Sequence, residues 1–180
     1  MWPLPSDFSV KEKFSIFNPD NVAEFVKAPT KEVKNMVSDA VAWQVEKLVK
    51  KRIVKYSPVK TNLLVVISSD LTKPDLNMNE EYFLEIKENG ENILEVEIIA
   101  ETYFGARHAL ETMFQLAQFD PFTSNFIISS DVRITDKPFY PHRGVMLDTA
   151  RNFIPVENIK TMIDSMSYSK PNVFHWHITD

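Results

Sequence analysis

The sequence has 180 residues, a net charge of −5, 44% hydrophobic residues and no cysteine. Its length is below the roughly 250 residues of a complete eight-stranded α/β barrel, and its composition is that of an ordinary folded domain rather than a disordered chain. The lack of cysteine excludes disulfides and thiolate metal sites, and the acidic balance argues against nucleic acid or an anionic membrane surface as a partner, because both require a basic face.

The apolar runs give no sign of a membrane span or a targeting segment. The longest run, residues 63–67, is far shorter than the roughly 20 residues of a membrane-spanning helix. Residues 1–5 lack the basic start, apolar stretch and cleavage site of a signal peptide. We therefore expect either a cytosolic protein or a chain that lacks its original beginning.

The first predicted elements are an irregular segment and a helix. Four prolines within residues 1–30 predict an irregular or short-stranded opening segment. Thr30 is a candidate N-cap for an amphipathic helix that extends to about residue 55, with apolar residues at three- and four-residue steps. The basic run at residues 50–52 falls in its last turns, where cations complement the helix dipole. We interpret that run as a solvated helix end.

The following segment alternates between strand and helix patterns. Asn89-Gly90 separates two alternating stretches, which predicts a β-hairpin, and a helical period then continues to the region of Pro121. A first strand is predicted at residues 62–68, and the two hairpin strands at 82–86 and 93–98. The helix is predicted at residues 102–120, and two short strands follow at 125–129 and 132–134. We therefore predict that residues 1–135 form an α+β domain with helices on a mostly antiparallel sheet.

The segment after residue 135 has a different pattern. Residues 136–141 form a proline-stiffened linker. Residues 142–180 contain an apolar strand, a helix that begins near Pro155 and a second apolar strand. This succession predicts one βαβ unit with parallel strands and a right-handed crossover.

Polar side chains follow both predicted strands of the βαβ unit. Asp148 and Arg151 follow the first strand, and His177 and Asp180 lie at the end of the second. Because the carboxyl ends of parallel strands meet at one edge, these groups are expected at a common rim. Two carboxylates beside a planar guanidinium suit a polyhydroxylated ligand such as a sugar. The alternative is that Asp148 and Arg151 form a structural ion pair.

Three histidines need a separate interpretation. His175 and His177 are two apart on a predicted strand and share a face, which is the geometry of a metal-ligand pair in some metal-dependent barrel hydrolases. No third ligand accompanies them at a recognisable spacing, and the competing interpretation is that they hydrogen-bond to neighbouring carboxylates. His108 lies on the apolar side of the second predicted helix and is interpreted as a core histidine.

Two long motifs carry a family resemblance. Residues 142–153 (HRGVMLDTARNF) and 170–180 (KPNVFHWHITD) resemble the opening of the catalytic barrel of the β-N-acetylhexosaminidases of glycoside hydrolase family 20, especially the insect-type enzymes. Residues 2–5 (WPLP) and 102–112 (TYFGARHALET) are similar to the N-terminal segment and to a helix of that family's non-catalytic domain. The resemblance implies a zincin-like α+β domain at residues 1–135, followed by the first βαβ unit of a truncated (β/α)8 TIM barrel.

The resemblance also implies site residues and a reaction. Arg151 and Asp180 match positions that bind the terminal sugar, and Asp148 and His177 match positions that support the rim. Family members release terminal N-acetylhexosamine, GlcNAc or GalNAc, from glycans or chitooligosaccharides by a retaining mechanism in which the substrate's acetamido group is the nucleophile. No metal and no cofactor are implied. The family's catalytic Asp-Glu pair lies on a later barrel strand, and the sequence contains no such pair.

Three functions follow from these patterns. We expect the sequence to be an N-terminal fragment of a longer hexosaminidase and to be inactive by itself. A catalytically inactive glycan-binding product and a metal-dependent barrel hydrolase using His175 and His177 are the alternatives. The resemblance implies a secreted, lysosomal or cell-surface location, and it is compatible with a homodimer in the full-length enzyme.

Overall fold

A computed structural model describes residues 1–50 and 57–179. These residues form two compact units, of which the larger comprises Met1 and Pro3–Lys137 and the smaller comprises Trp2 and the residues from Pro138 onward. None of the described helices is both long and apolar enough to cross a membrane.

The larger unit contains nine strands and two helices within the described residues. In chain order they are β1 (Asp7–Val10), β2 (Phe14–Phe17), β3 (Val22–Lys27), α1 (Lys31–Val49), β4 (Lys60–Ile67), β5 (Tyr82–Glu88), β6 (Ile93–Ala100), α2 (Tyr103–Leu116), β7 (Gln118–Asp120), β8 (Asn125–Ser129) and β9 (Asp131–Asp136). Six strands form one sheet in the order β1-β9-β5-β6-β4-β3, and a second, antiparallel sheet has the order β2-β8-β7.

The large sheet is mixed in direction. Strands β1, β9, β5 and β6 pair antiparallel, and the pair β5 and β6 is the predicted hairpin around Asn89-Gly90. Strands β3, β4 and β6 run parallel to one another, which the sequence pattern did not predict. The reason for the first parallel pair is that α1 connects β3 to β4 as a crossover, and a helical crossover returns the chain in the same direction.

Helix α1 begins as predicted and buries the predicted stripe. The Thr30 hydroxyl accepts a hydrogen bond from the Val33 amide at 3.2 Å, which satisfies one of the free donors of the first turn. Val33, Val37 and Val41 are buried against the sheet. Lys50 forms the C-cap, and the predicted continuation to residue 55, with the rest of the basic run, lies outside the described residues.

Helix α2 packs on the same sheet and carries the core histidine. The Thr102 hydroxyl accepts from the Gly105 amide at 3.3 Å and so forms the N-cap. His108 is only 6% exposed, and its Nε2 lies 2.8 Å from Oε1 of the buried Glu80. The interpretation of His108 as a core residue is confirmed.

The opposite face of the large sheet is not covered by α1 or α2. Residues of β3, β4, β5 and β6 that alternate with the buried core positions lie on this side, which we call the open face. On it, the Glu85 carboxylate bonds both Lys87 at 2.8 Å and Arg133 at 2.6 Å. Some charged side chains of the open face therefore pair with one another, and other side chains of this face are exposed.

The smaller unit is a βαβ unit. It consists of β10 (Gly144–Asp148), α3 (Val156–Ser169) and β11 (Val173–His177), and the two strands pair in parallel as predicted. Pro155 occupies the N-cap of α3 and makes no side-chain capping bond. The preceding strand β9 extends to Asp136, a residue predicted to begin the linker, because the Asp136 carboxylate accepts from the Tyr82 hydroxyl at 3.1 Å inside the larger unit.

The amino ends of β10 and β11 are joined by reciprocal hydrogen bonds. The Arg143 amide donates to Oδ1 of Asn172 at 3.0 Å, and the Asn172 amide donates to the Arg143 carbonyl at 2.9 Å. Nδ2 of Asn172 donates to the Pro141 carbonyl, and Nε of Arg143 donates to the Lys170 carbonyl. We call these contacts the Arg143–Asn172 clamp; they fix the two strands in register at this end.

Candidate functional site

The structure brings Asp148 and His177 together at the carboxyl ends of β10 and β11. They are direct register partners in the parallel pair. Nδ1 of His177 lies 3.3 Å from Oδ1 of Asp148. The rim expected from the strand pattern is thus present for these two residues.

The Asp148 side chain also organises the loop that carries Arg151. Its Oδ1 accepts hydrogen bonds from the amides of Ala150 at 3.0 Å and Arg151 at 3.3 Å. This arrangement is an Asx-turn, in which the aspartate carboxylate accepts from the backbone of the following residues and so mimics a backbone turn. Asp148 therefore fixes the backbone from which the Arg151 side chain projects.

The Arg151 guanidinium is held loosely by Asp148. Nε of Arg151 lies 3.8 Å from Oδ2 of Asp148, and the Arg151 side chain is 69% exposed. A contact of this length at an exposed site is worth little stability, since solvent screens the two charges. The structure thus contains the Asp148–Arg151 ion pair that was the alternative role for Arg151, as a long and exposed contact.

Asp148 has a lowered pKa. The main cause is the hydrogen bond from His177, which outweighs the opposing effect of burial, and the hydrogen bonds from the amides of Arg151 and Ala150 favour the carboxylate further. A lowered folded-state pKa means that the ionised carboxylate stabilises this fold. That contribution is present above the pKa of the unfolded chain and is lost as the pH falls through the folded-state pKa.

We expect His177→Ala to raise the pKa of Asp148 toward its ordinary value, because the substitution removes the largest stabilising contact of the carboxylate. The pKa can be read from the pH dependence of the Asp148 carboxyl ¹³C signal. His175→Ala is the matched control, since His175 is an exposed residue of the same strand. A shift of the same size in both variants would show that strand disruption, not the His177 contact, sets the pKa.

Thr149 and Trp176 form a second link at the rim that the sequence did not indicate. The Thr149 amide donates to the His177 carbonyl at 2.9 Å. Nε1 of Trp176 donates to the Thr149 hydroxyl, also at 2.9 Å. These contacts tie the loop after β10 to β11. No spacing rule relates the two residues, since their meeting depends on the parallel register that pairs Leu147 with Trp176.

The remaining site positions divide between described and undescribed residues. His175 lies on β11 as predicted, paired in register with Met146. Across residues 1–50 and 57–179, no three His, Asp or Glu side chains come together in a way that could hold a metal ion. Asp180, the second residue expected to bind a sugar, lies outside the described residues.

Comparison with protein families identifies both units. A family model described as beta-acetyl hexosaminidase like matches residues 1–116, and the model of the glycosyl hydrolase family 20 catalytic domain matches residues 140–180. The chain belongs to the family 20 β-acetylhexosaminidases. The resemblance stated from the sequence motifs is confirmed, and the rim described above lies within the segment matched by the catalytic domain.

Individual hexosaminidases support the assignment. The chitooligosaccharidolytic beta-N-acetylglucosaminidase of Ostrinia furnacalis is 47% identical over 105 residues, which cover 58% of this chain and 18% of that protein. Beta-hexosaminidase 1 of Arabidopsis thaliana is 32% identical over 193 aligned residues, which cover 100% of this chain and 36% of that protein. The chain therefore spans between about a fifth and about a third of the length of these hexosaminidases.

Solved hexosaminidase structures have the same fold over the whole chain. An inactive mutant of the family 20 exo-beta-N-acetylglucosaminidase from Vibrio harveyi superposes with a TM-score of 0.74 at 27% identity, covering 100% of this chain and 25% of that one. The Flavobacterium johnsoniae chitobiase gives a TM-score of 0.73 at 25% identity, covering 100% of this chain and 27% of that one. An N-terminal domain followed by a partial barrel unit is thus the architecture of this hexosaminidase chain.

Proposed function

We propose that this chain is part of a β-N-acetylhexosaminidase that hydrolyses terminal, non-reducing GlcNAc or GalNAc residues of glycans or chitooligosaccharides. The observation that carries the proposal is the rim formed by Asp148, His177 and the Arg151 loop at the ends of two parallel strands. In α/β barrels this is the edge at which substrates bind.

The site residues have separate roles in this proposal. The Arg151 guanidinium donates hydrogen bonds to hydroxyls of the terminal sugar, and the Asp180 carboxylate accepts from hydroxyls of the same sugar. Asp148 and His177 are positioning residues, because their contact and the bonds from Asp148 to the loop amides hold the Arg151 backbone in place. None of these steps needs a metal or another cofactor.

The reaction itself is a retaining hydrolysis assisted by the substrate. The 2-acetamido oxygen attacks the anomeric carbon while a glutamic acid protonates the leaving oxygen, and an aspartate orients the amide. That Asp-Glu pair is supplied by another strand of the barrel. The part played by the present residues is to hold the non-reducing sugar so that its acetamido group faces the bond to be broken.

We further propose that the larger unit is the zincin-like domain of these enzymes, and that the smaller unit is the first βαβ unit of their (β/α)8 TIM barrel. Domain limits of 1–135 and 142–180, with a linker at 136–141, belong to the same proposal, except that Asp136 lies in β9 of the larger unit. It also includes a homodimeric enzyme in a secreted, lysosomal or cell-surface location. The order of α+β unit and parallel βαβ unit supports the architecture.

The test of this function is Arg151→Lys in the longer hexosaminidase of which the chain is part. The lysine keeps the charge but removes the planar pair of donors, so kcat/KM for a β-N-acetylglucosaminide should fall by an amount equivalent to about 1.5–3 kcal/mol, the value of a charged hydrogen bond. Steady-state kinetics with a chromogenic substrate measures the change.

The matched control for that test is Arg133→Lys. Arg133 is similarly exposed, at 65%, and lies on β9 in the larger unit. Its substitution should leave kcat/KM unchanged. Equal kinetics for the Arg151→Lys variant and the unmodified enzyme would contradict a sugar-binding role for Arg151 and leave it as a surface residue.

A further inference from the structure

The open face of the large sheet contains a groove that no step above uses. It has a volume of about 520 Å³, within the range of ~300–1,000 Å³ found for small-molecule sites. Strands β3, β4, β5 and β6 each contribute to it. The residues used below include Phe25, Lys27, Asn62, Leu64 and Glu97.

The floor of the groove is apolar at the β3 edge. Phe25 is 55% exposed although it lies inside a strand, and its register partner on β4 is Leu64. An exposed ring beside an aliphatic side chain forms a flat platform. Such a platform suits a ligand with an apolar face, because burying that face removes hydrocarbon surface from water.

Polar groups surround this platform, and some of them have no partner in the protein. Glu85 and Lys87, which also line the groove, pair with each other, whereas, among the described residues, the side chains of Lys27 and Glu97 take part in no hydrogen bond or ion pair. Oδ1 of Asn62 is inaccessible to solvent and accepts no hydrogen bond within the described part of the chain. A buried acceptor left in this state costs free energy, so the Asn62 side chain is not fully satisfied by the protein itself.

We infer that this groove binds a neutral oligosaccharide. A sugar ring has an apolar face of C–H groups, which fits the platform of Phe25 and Leu64, and a rim of hydroxyls that both donate and accept. Glu97 is an acceptor for those hydroxyls, and Lys27 is a donor. Because both signs of charge line the groove, a strongly anionic or cationic ligand would meet a like charge, whereas a neutral ligand meets none.

The inference stands on the groove alone. It requires neither the catalytic pair nor the roles proposed for Arg151 and Asp180, so failure of the Arg151→Lys prediction would leave it untouched. In this inference the larger unit has a function of its own, because it binds a glycan chain through residues of its β-sheet rather than through loops.

The experiment is an NMR titration of the ¹⁵N-labelled 180-residue chain with two neutral probes, N,N′,N″,N‴-tetraacetylchitotetraose and cellotetraose. Saturable shifts are expected at the amides of Phe25, Leu64 and Glu97, with a Kd of about 1 mM. Phe25→Ala should weaken binding by about tenfold, and Glu97→Gln by a smaller factor. The control is Phe122→Ala, because Phe122 is 94% exposed in the turn between β7 and β8.

The same experiment can overturn the inference. Absence of saturable shifts at the groove for both probes excludes it, as does equal weakening by Phe25→Ala and Phe122→Ala. Sedimentation equilibrium without sugar gives a further check. If the chain self-associates and Phe25→Ala alone abolishes the association, the groove is an interface between copies of this chain. Binding of the acetylated probe but not of cellotetraose supports the inference and adds acetamido recognition.

Discussion

The 180-residue chain alone should not hydrolyse a chromogenic β-N-acetylglucosaminide at a measurable rate. Its family releases the sugar with a glutamic acid that protonates the leaving oxygen, and the sequence contains no Asp-Glu pair to supply it. General acid catalysis by itself is worth roughly 10²–10⁴-fold, and loss of the aspartate that orients the acetamido group adds to this deficit. The measurement is release of 4-nitrophenol from 4-nitrophenyl N-acetyl-β-D-glucosaminide.

A family hexosaminidase that contains the pair is the positive control for that assay. Far-UV circular dichroism of the 180-residue chain should accompany it, so that inactivity is not mistaken for a failure to fold. Turnover within about tenfold of the control would show that residues within this chain supply the proton. It would also contradict the proposed mechanism and the interpretation of the chain as an inactive fragment.

Gly105→Ala should be the most destabilising single substitution among the three glycines. Helix α2 passes the residues just before β5 so closely that a Cβ at this position would lie 2.6 Å from the Glu81 carbonyl oxygen and 3.2 Å from the carbonyl carbon of Glu80. Both atoms belong to the backbone, so they cannot rotate away as a side chain would. We expect a loss of about 3 kcal/mol in the free energy of unfolding, at the upper end of overpacking effects.

Urea denaturation of the full chain, followed by circular dichroism, measures this loss. Gly90→Ala is the matched control, because Gly90 has a positive φ of 82° in the hairpin turn but open space around its Cα. It should cost only about 1 kcal/mol, from backbone conformation. If the two variants lose equal stability, steric contact with the residues just before β5 is not what fixes glycine at position 105.

Local features of the fold were predictable because local interactions produce them. Thr30 was predicted as an N-cap and its hydroxyl accepts the expected amide bond, while the second helix, predicted to begin at residue 102, is capped by the Thr102 hydroxyl. The order of strands in the large sheet was not predictable in this way. Strand β1 pairs with β9, so that Phe8 lies opposite Ile134. Periodicity within a strand determines which side chains face the core, but it does not name a partner more than a hundred residues away.

At the rim, too, some features were predictable from the sequence and others were not. The positions of Asp148 and His177 followed from counting residues to the ends of two strands, because parallel neighbours end together. The Thr149–Trp176 contact required the register and side-chain conformations of the folded unit. Likewise, the groove on the open face was not visible in the sequence, since Phe25 and Glu97 are distant in the chain and become neighbours through Leu64.

The Arg143–Asn172 clamp has a consequence for how this enzyme family can change. It sets the alignment of β10 and β11 at the end of the strands opposite to Asp148 and His177. Substitutions in the loop after β10 are thus separated, by the length of a strand, from the contacts that keep the strands aligned. The loop at the carboxyl ends of the two strands can therefore change in sequence while the contacts at their amino ends still hold the strands in register.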